Sequence, residues 1–299
     1  MKSKNIDWVN TIFLTSTPLV AIVLSILHFN NSGFMPGILI TAGILTIFCG
    51  MSITLGYHRL YSHKAFEASL PVKLFVLIFG AAAFQNSLLK WASDHRVHHK
   101  FCDQDKDPYD INKGFFWAHM GWVMMREPSK FKDEFPMSKD LLNDKLVMWQ
   151  HKYYLPIAVA AGVLLPGLIG YFLGSTLGGF AVAGFARIVL VHHSTFFINS
   201  LCHCVGKTTY SDSHTAKDSP LMALLTFGEG YHNFHHTFQA DYRNGIKWFH
   251  FDPTKWAIWS LDKLGMASKL KRVPVPVINA ATEAMLLKEQ SLLSKKKYA

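Results

Sequence analysis

The residues in this chain best suited to chemistry are its histidines, 16 among 299 residues. Three clusters stand out: His58-Arg-Leu-Tyr-Ser-His63, His95-Arg-Val-His98-His99 and His232-Asn-Phe-His235-His236. In each HxxHH cluster, helical spacing places the third and fourth residues after the first on either side of it within one turn, so three imidazoles share a face that can serve two adjacent metals. In the first cluster a separation of five residues is about 140° around an α-helix. Either the helix ends between His58 and His63, or the two serve different metals. Asn199 and His203 lie four apart and add a ninth imidazole and an amide. Neutral imidazole binds iron, zinc or copper, and a nitrogen set without thiolates disfavours an iron-sulfur centre or a structural zinc finger. Nine are too many for one ion. Two ions with four or five nitrogens each leave room for a shared oxygen species, the arrangement that activates dioxygen.

Asp94, Asp107, Asp212 and Glu229 lie near the clusters. Each could accept the second ring N–H of a ligand and fix its tautomer, or form an ordinary surface ion pair. His28, His119, His151, His214 and His250 read as structural or solvent-exposed, and the pair His192-His193 as bundle histidines, with a supporting role open to His192. Cys49, Cys102, Cys202 and Cys204 are too few and too irregular for a disulfide framework and read as reduced thiols.

The elements that position these groups are membrane helices. Half the residues are hydrophobic and 17% charged, against about 25% in ordinary soluble domains. No charged residue occurs between Asp7 and Arg59. That stretch is long enough to cross a hydrocarbon layer of about 30 Å twice. Spans are expected over about 9–29 and 38–57, and a second hairpin over about 155–173 and 178–201. Both hairpin connectors lack Lys and Arg, whereas the first residues, the 90–152 region and the tail are rich in them. The positive-inside rule then places both termini and the central cap in the cytoplasm. Residues 70–89 are apolar enough to span. A span there would put His58 and His63 on the opposite side from His95–His99, so the segment reads as an interfacial helix or one packed under the cap. The expected fold is an all-α membrane protein, four transmembrane helices with a cytoplasmic helical cap, in one domain over 1–299.

At these residues the chain resembles the membrane fatty acyl desaturases, most closely the delta-9 acyl-CoA type. The segments GYHRLYSHKAF, WASDHRVHHKFCDQDKDPYD, INSLCH and GEGYHNFHHTFQADYRNG carry the resemblance, which covers about 54–264. It implies that His58, His63, His95, His98, His99, His203, His232, His235 and His236, with Asn199 through a water, hold two iron ions. It also implies a bent acyl tunnel shaped by Gln85, Trp91 and Thr195, with Asn86 toward the thioester end. The implied activity is oxygen-dependent insertion of a cis double bond into a saturated acyl chain, with O2 as co-substrate and electrons from a separate ferredoxin, rubredoxin or cytochrome b5-type donor. The basic cap suits an acidic donor or anionic lipid headgroups equally. The setting is a bacterial inner membrane or the endoplasmic reticulum, and no nucleic-acid partner is expected.

The headgroup region departs from the acyl-CoA pattern. Where that pattern has two phosphate-binding positions, this chain has Ser93 and Arg126-Glu127. Arg126 remains, and Lys90, Lys100 or Lys130 could compensate. Acyl-CoA is favoured as carrier over a phospholipid-linked chain or acyl carrier protein. Among rival functions, a membrane hydroxylase or alkane monooxygenase shares such boxes. A metal transporter would place its ligands near the membrane midplane, and a zinc protease would carry H-E-x-x-H.

Overall fold

The computed structural model describes residues 5–127 and 130–297, without the side chains of Arg126, Lys296 and Lys297. Among the described residues, four helices are long and apolar enough to cross a membrane: Trp8–Ser32, Pro36–Ser62, Tyr154–Phe172 and Thr176–Cys204. The protein is an integral membrane protein. Asp7 caps the first span by accepting from Asn10 N at 3.2 Å, and Gly33, at φ 66°, ends it. The two hairpin connectors lie side by side, with Leu173 packed against the backbone of Gly37. His28 is held there by Ser175 Oγ at 3.0 Å, a structural role as expected.

The segment expected as one helix over 70–89 is two. Leu70–Ala81 is a helix of 12 residues, about 18 Å long and too short to span. The chain then turns through Phe84 and Asn86, both at positive φ, before the cap helix Leu88–Phe101 begins. Leu70–Ala81 packs close against the second span because Gly56 has no side chain, and a Cβ there would lie 2.5 Å from Val76. The turn after it directs the second histidine cluster back over the spans.

The cap joins short helices through irregular loops, and contacts from distant parts of the chain bind its segments together. Asn5 and Ile6 pair with Arg126 and Met125, and Lys288 of the final helix Val275–Lys297 pairs with Asp212. The described ends of the chain therefore lie on the cap side. Asp212, a candidate partner for a metal-binding histidine, is engaged by this distant lysine instead.

Candidate metal centre

Four elements converge on the site. The second span ends in a wide π-helical stretch, Ser52–Ser62, that carries His58. In a π-helix the residue five positions on sits above the first, and His63 N donates to His58 O at 3.1 Å. The helix ends at Ser62, between the two histidines, as the first reading has it; the rings lie 4.8 Å apart and belong to the same set, so the second reading, different metals, does not hold. Helices Leu88–Phe101 and His232–Thr237 carry the two HxxHH clusters, and the end of the fourth span carries His203.

The nine imidazoles divide into two sets, each able to hold a metal ion: His58, His63, His95, His99 and His235, and His98, His203, His232 and His236. The division follows helix geometry. Residues i and i+4 lie about 40° apart and stay together, whereas i+3 lies about 60° the other way and joins the opposite set. His95 and His99 thus face one set while His98 faces the other. On the facing helix His232 and His236 pair while His235 crosses over.

Ring nitrogens converge within each set. Nε2 of His235 is 2.9 Å from that of His58 and 3.0 Å from that of His99, and His63 and His95 meet at 2.8 Å. In the second set His98–His236, His236–His232 and His232–His203 meet at 3.1–3.2 Å. Several outer nitrogens have partners of their own. His58 Nδ1 is 3.0 Å from Glu229 and His98 Nδ1 is 2.9 Å from Asp107. His203 Nδ1 is 2.7 Å from Thr215 Oγ1, which in turn donates to Asp103 at 2.7 Å. With Nδ1–H donated outward, the Nε2 lone pairs point at one another, a repulsive arrangement that a cation between them resolves. Burial first, then the neighbouring imidazoles, hold His63, His95, His99, His232, His235 and His236 well below the usual histidine range. They are neutral near pH 7, as metal ligands must be. The donor set therefore fits two metals that favour nitrogen.

Of the four carboxylates singled out, Asp107 and Glu229 reach histidines. Asp94 bonds Lys90 at 2.6 Å, one helical turn back. Glu229 sits in a buried network: Oε1 accepts from Arg59 at 2.9 Å and Oε2 from Asn244 at 2.6 Å. Burial pushes its carboxyl up, but His58 and Arg59 outweigh that and hold it at about 2. Arg59 also bonds Asp252 at 3.0 and 3.1 Å and Tyr242 O at 2.8 Å. Spacing did not reveal Thr215, Asp103 or Tyr109, whose hydroxyl lies 3.3 Å from His95 Nδ1, because loops bring them in. His214, expected to be structural or solvent-exposed, packs 5.1 Å from His236. His119 and His193 pair at 3.0 Å, His151 binds Ser87 at 2.7 Å and His192 binds Phe84 O at 3.0 Å, all away from the two sets.

Beside the first set lies a cavity of about 240 Å³, lined mainly by apolar side chains together with His58, His95, Asn199 and Glu229. Gln85, Asn86, Trp91 and Thr195 line it too. Gln85 Nε2 donates to Thr195 Oγ1 at 2.9 Å, a polar pinch joining the turn at 82–87 to the fourth span. Trp91 stacks on His95 at 4.9 Å. A wider opening adjoins it, lined by Lys90, Lys106, Lys130, Asp94 and Glu127 among others. There Glu127 bonds Lys113 at 2.8 Å, and Lys130 bonds Asp105 at 2.8 Å. Ser93 is buried, donates to Pro136 O at 3.0 Å and does not line the opening. The Arg126 side chain lies outside the described residues.

The fold and site define a class: a four-span helical membrane protein whose cap holds two imidazole sets, each able to bind metal, beside an apolar cavity. Residues 36–267 match the family model for fatty acid desaturase, and the chain belongs to the fatty acid desaturase family. It is 37% identical to Acyl-CoA desaturase 1 of Saccharomyces cerevisiae over 98% of this chain and 57% of that protein. It is 39% identical to the Probable acyl-CoA desaturase of Schizosaccharomyces pombe over 91% of this chain and 56% of that one. It thus spans a little over half the length of these two relatives. It is also 36% identical to the sn-1 stearoyl-lipid 9-desaturase of Anabaena variabilis, over 89% of this chain and 94% of that protein.

Proposed function

We propose that the chain is one membrane-embedded desaturase domain, residues 1–299, that introduces a cis double bond of the delta-9 type into a saturated acyl chain. The observation that carries this reading is the apolar cavity running past His58, His95 and Asn199. The overall reaction consumes the two hydrogens removed from adjacent methylenes, O2, two electrons and two protons, and yields the alkene and two waters. The electrons come from a separate ferredoxin, rubredoxin or cytochrome b5-type donor. Two irons held by the five- and four-imidazole sets, with Asn199 nearby, would supply the O2-reducing chemistry. The residues of this chain do the rest: Glu229, Asp107 and Thr215 aim the imidazoles, the apolar walls exclude water, and the Gln85–Thr195 pinch fixes which methylenes lie beside the first set.

Purified protein supplied with stearoyl-CoA and a reducing donor should yield a C9–C10 alkene. An alcohol as the main product would favour the hydroxylase reading. Thr195→Val removes the nearer acceptor of Gln85, leaving only Val191 O at 3.4 Å, and should spread the double bond over neighbouring positions while leaving metal content unchanged. Gas chromatography with double-bond assignment reads this directly.

Acyl-CoA is the favoured carrier, supported by the names of two relatives, while the Anabaena relative and the ion-paired lysines at the opening keep a lipid-linked chain as the second reading. If CoA is the carrier, Arg126→Glu should raise the apparent KM for stearoyl-CoA several-fold without moving the double bond. Cap and termini are assigned to the cytoplasm of a bacterial inner membrane or of cells with an endoplasmic reticulum. In a bacterial inner membrane a cysteine at exposed Ser32 should then react with an impermeant external reagent in intact cells and one at Ser268 should not, whereas Ser175 is buried against His28 and would report nothing.

A further inference from the structure

Two neighbouring segments of the cap, joined where Thr254 Oγ1 donates to Phe227 O at 3.1 Å, carry large apolar side chains that the protein leaves uncovered. Leu221 and Leu224 of the helix Pro220–Leu225 are 63% and 58% exposed, Trp248 is 85% exposed and Trp259 49%. Trp256, Trp259 and Lys263 recur at spacings of three and four on the helix Pro253–Lys263, which places them on one face. The loop that presents Trp248 is firmly built. Lys255 is buried, and its Nζ donates to the carbonyls of Gly245, Lys247 and His250 at 2.6, 2.7 and 3.1 Å.

The depth of this face can be measured along the spans. Thr254 Oγ1 meets Thr54 Oγ1 at 2.7 Å, and Ser194 Oγ donates to Leu225 O at 2.7 Å. Thr54 and Ser194 each lie 18 residues from the far ends of their spans, Pro36 and Thr176. That is at most about 27 Å of helix, inside a hydrocarbon layer of about 30 Å. A soluble protein cannot reach side chains at that level. Tryptophan prefers the membrane–water interface, and lysine stems reach from there to phosphate. Lys247 and Lys263 are exposed and lie 5.7 Å from the rings of Phe249 and Trp259.

We propose that Leu221–Leu225 and Trp248–Trp259 form a lipid-contact surface embedded in the leaflet on the cap side. Tryptophan and leucine side chains enter the acyl region of a phospholipid bilayer, and Lys247 and Lys263 meet its phosphates. The surface seats the cap on the membrane and so sets the height of the site above it, whatever reaction the site performs.

The test uses the full-length protein labelled with 5-fluorotryptophan in phosphatidylcholine nanodiscs, with the signals of Trp248 and Trp259 assigned by Trp248→Phe and Trp259→Phe. Both fluorine signals should broaden several-fold more with a nitroxide-bearing lipid than with a water-soluble gadolinium chelate. Greater broadening by the chelate would place the face in water and overturn the proposal. Broadening by neither would mean that protein, such as a second copy of the chain, covers it, and would overturn the proposal equally.

Discussion

Replacing His235 with alanine abolishes turnover, to below about a hundredth of the native rate, and removes metal from the five-imidazole set. His235 Nε2 lies within 3.0 Å of two other ring nitrogens, so its loss opens one side of that coordination shell. Even losing a group that only orients a ligand costs about 10–100-fold in metal affinity or activity, and losing the ligand itself costs more. His98→Ala and His203→Ala should do the same at the four-imidazole set. His151→Ala is the control, since it bonds Ser87, the residue that caps the helix Leu88–Phe101, and touches no histidine of the two sets. It should lose about 1 kcal/mol of stability, with turnover and metal retained. Metal analysis of the purified variants checks each outcome, and a native metal content in His235→Ala would remove that residue from the site.

The largest effect on stability is expected from Arg59→Met. Arg59 is fully buried between the carboxylates of Glu229 and Asp252, and removing it takes away the counter-charge the two share in the interior. Breaking a buried pair in this way costs about 3–5 kcal/mol. Asp252 also accepts from the backbone N–H groups of Asn244, Gly245 and Lys255 at 2.9–3.1 Å, so the loop that supports Glu229 would loosen with it. The thermal midpoint in detergent should drop sharply and metal be lost, with Arg59→Lys recovering only part of both. The pH dependence has a definite sign. Glu229 is held at about 2, below its ordinary 4.5, so its contribution is full above about pH 4.5 and drains away as pH falls toward 2.

Much of this architecture was legible in the residues. The charge-free stretches delimit the spans because the membrane admits few charges, and the HxxHH spacing already contains the partition into two sets. What stayed hidden is physically specific. Periodicity assumes 3.6 residues per turn, so the π-helical winding that brings His63 over His58 leaves no trace in it. The break after Ala81 depends on positive φ at Phe84 and Asn86, and hydropathy does not register it. Asp107 and Glu229 resemble Asp94 and Asp212 in sequence. The difference lies in which lysines the fold supplies, Lys90 one turn away and Lys288 from the last helix. Tyr109, Thr215 and Asn244 are polar loop residues whose meeting with the site is wholly tertiary.

The division of the nine imidazoles into sets of five and four is tested most directly by counting metal in the purified native protein. Elemental analysis against quantified chain should give two iron atoms per chain, both present in material that desaturates stearoyl chains. One metal per chain in fully active protein, or full activity with zinc and no iron, would contradict the account.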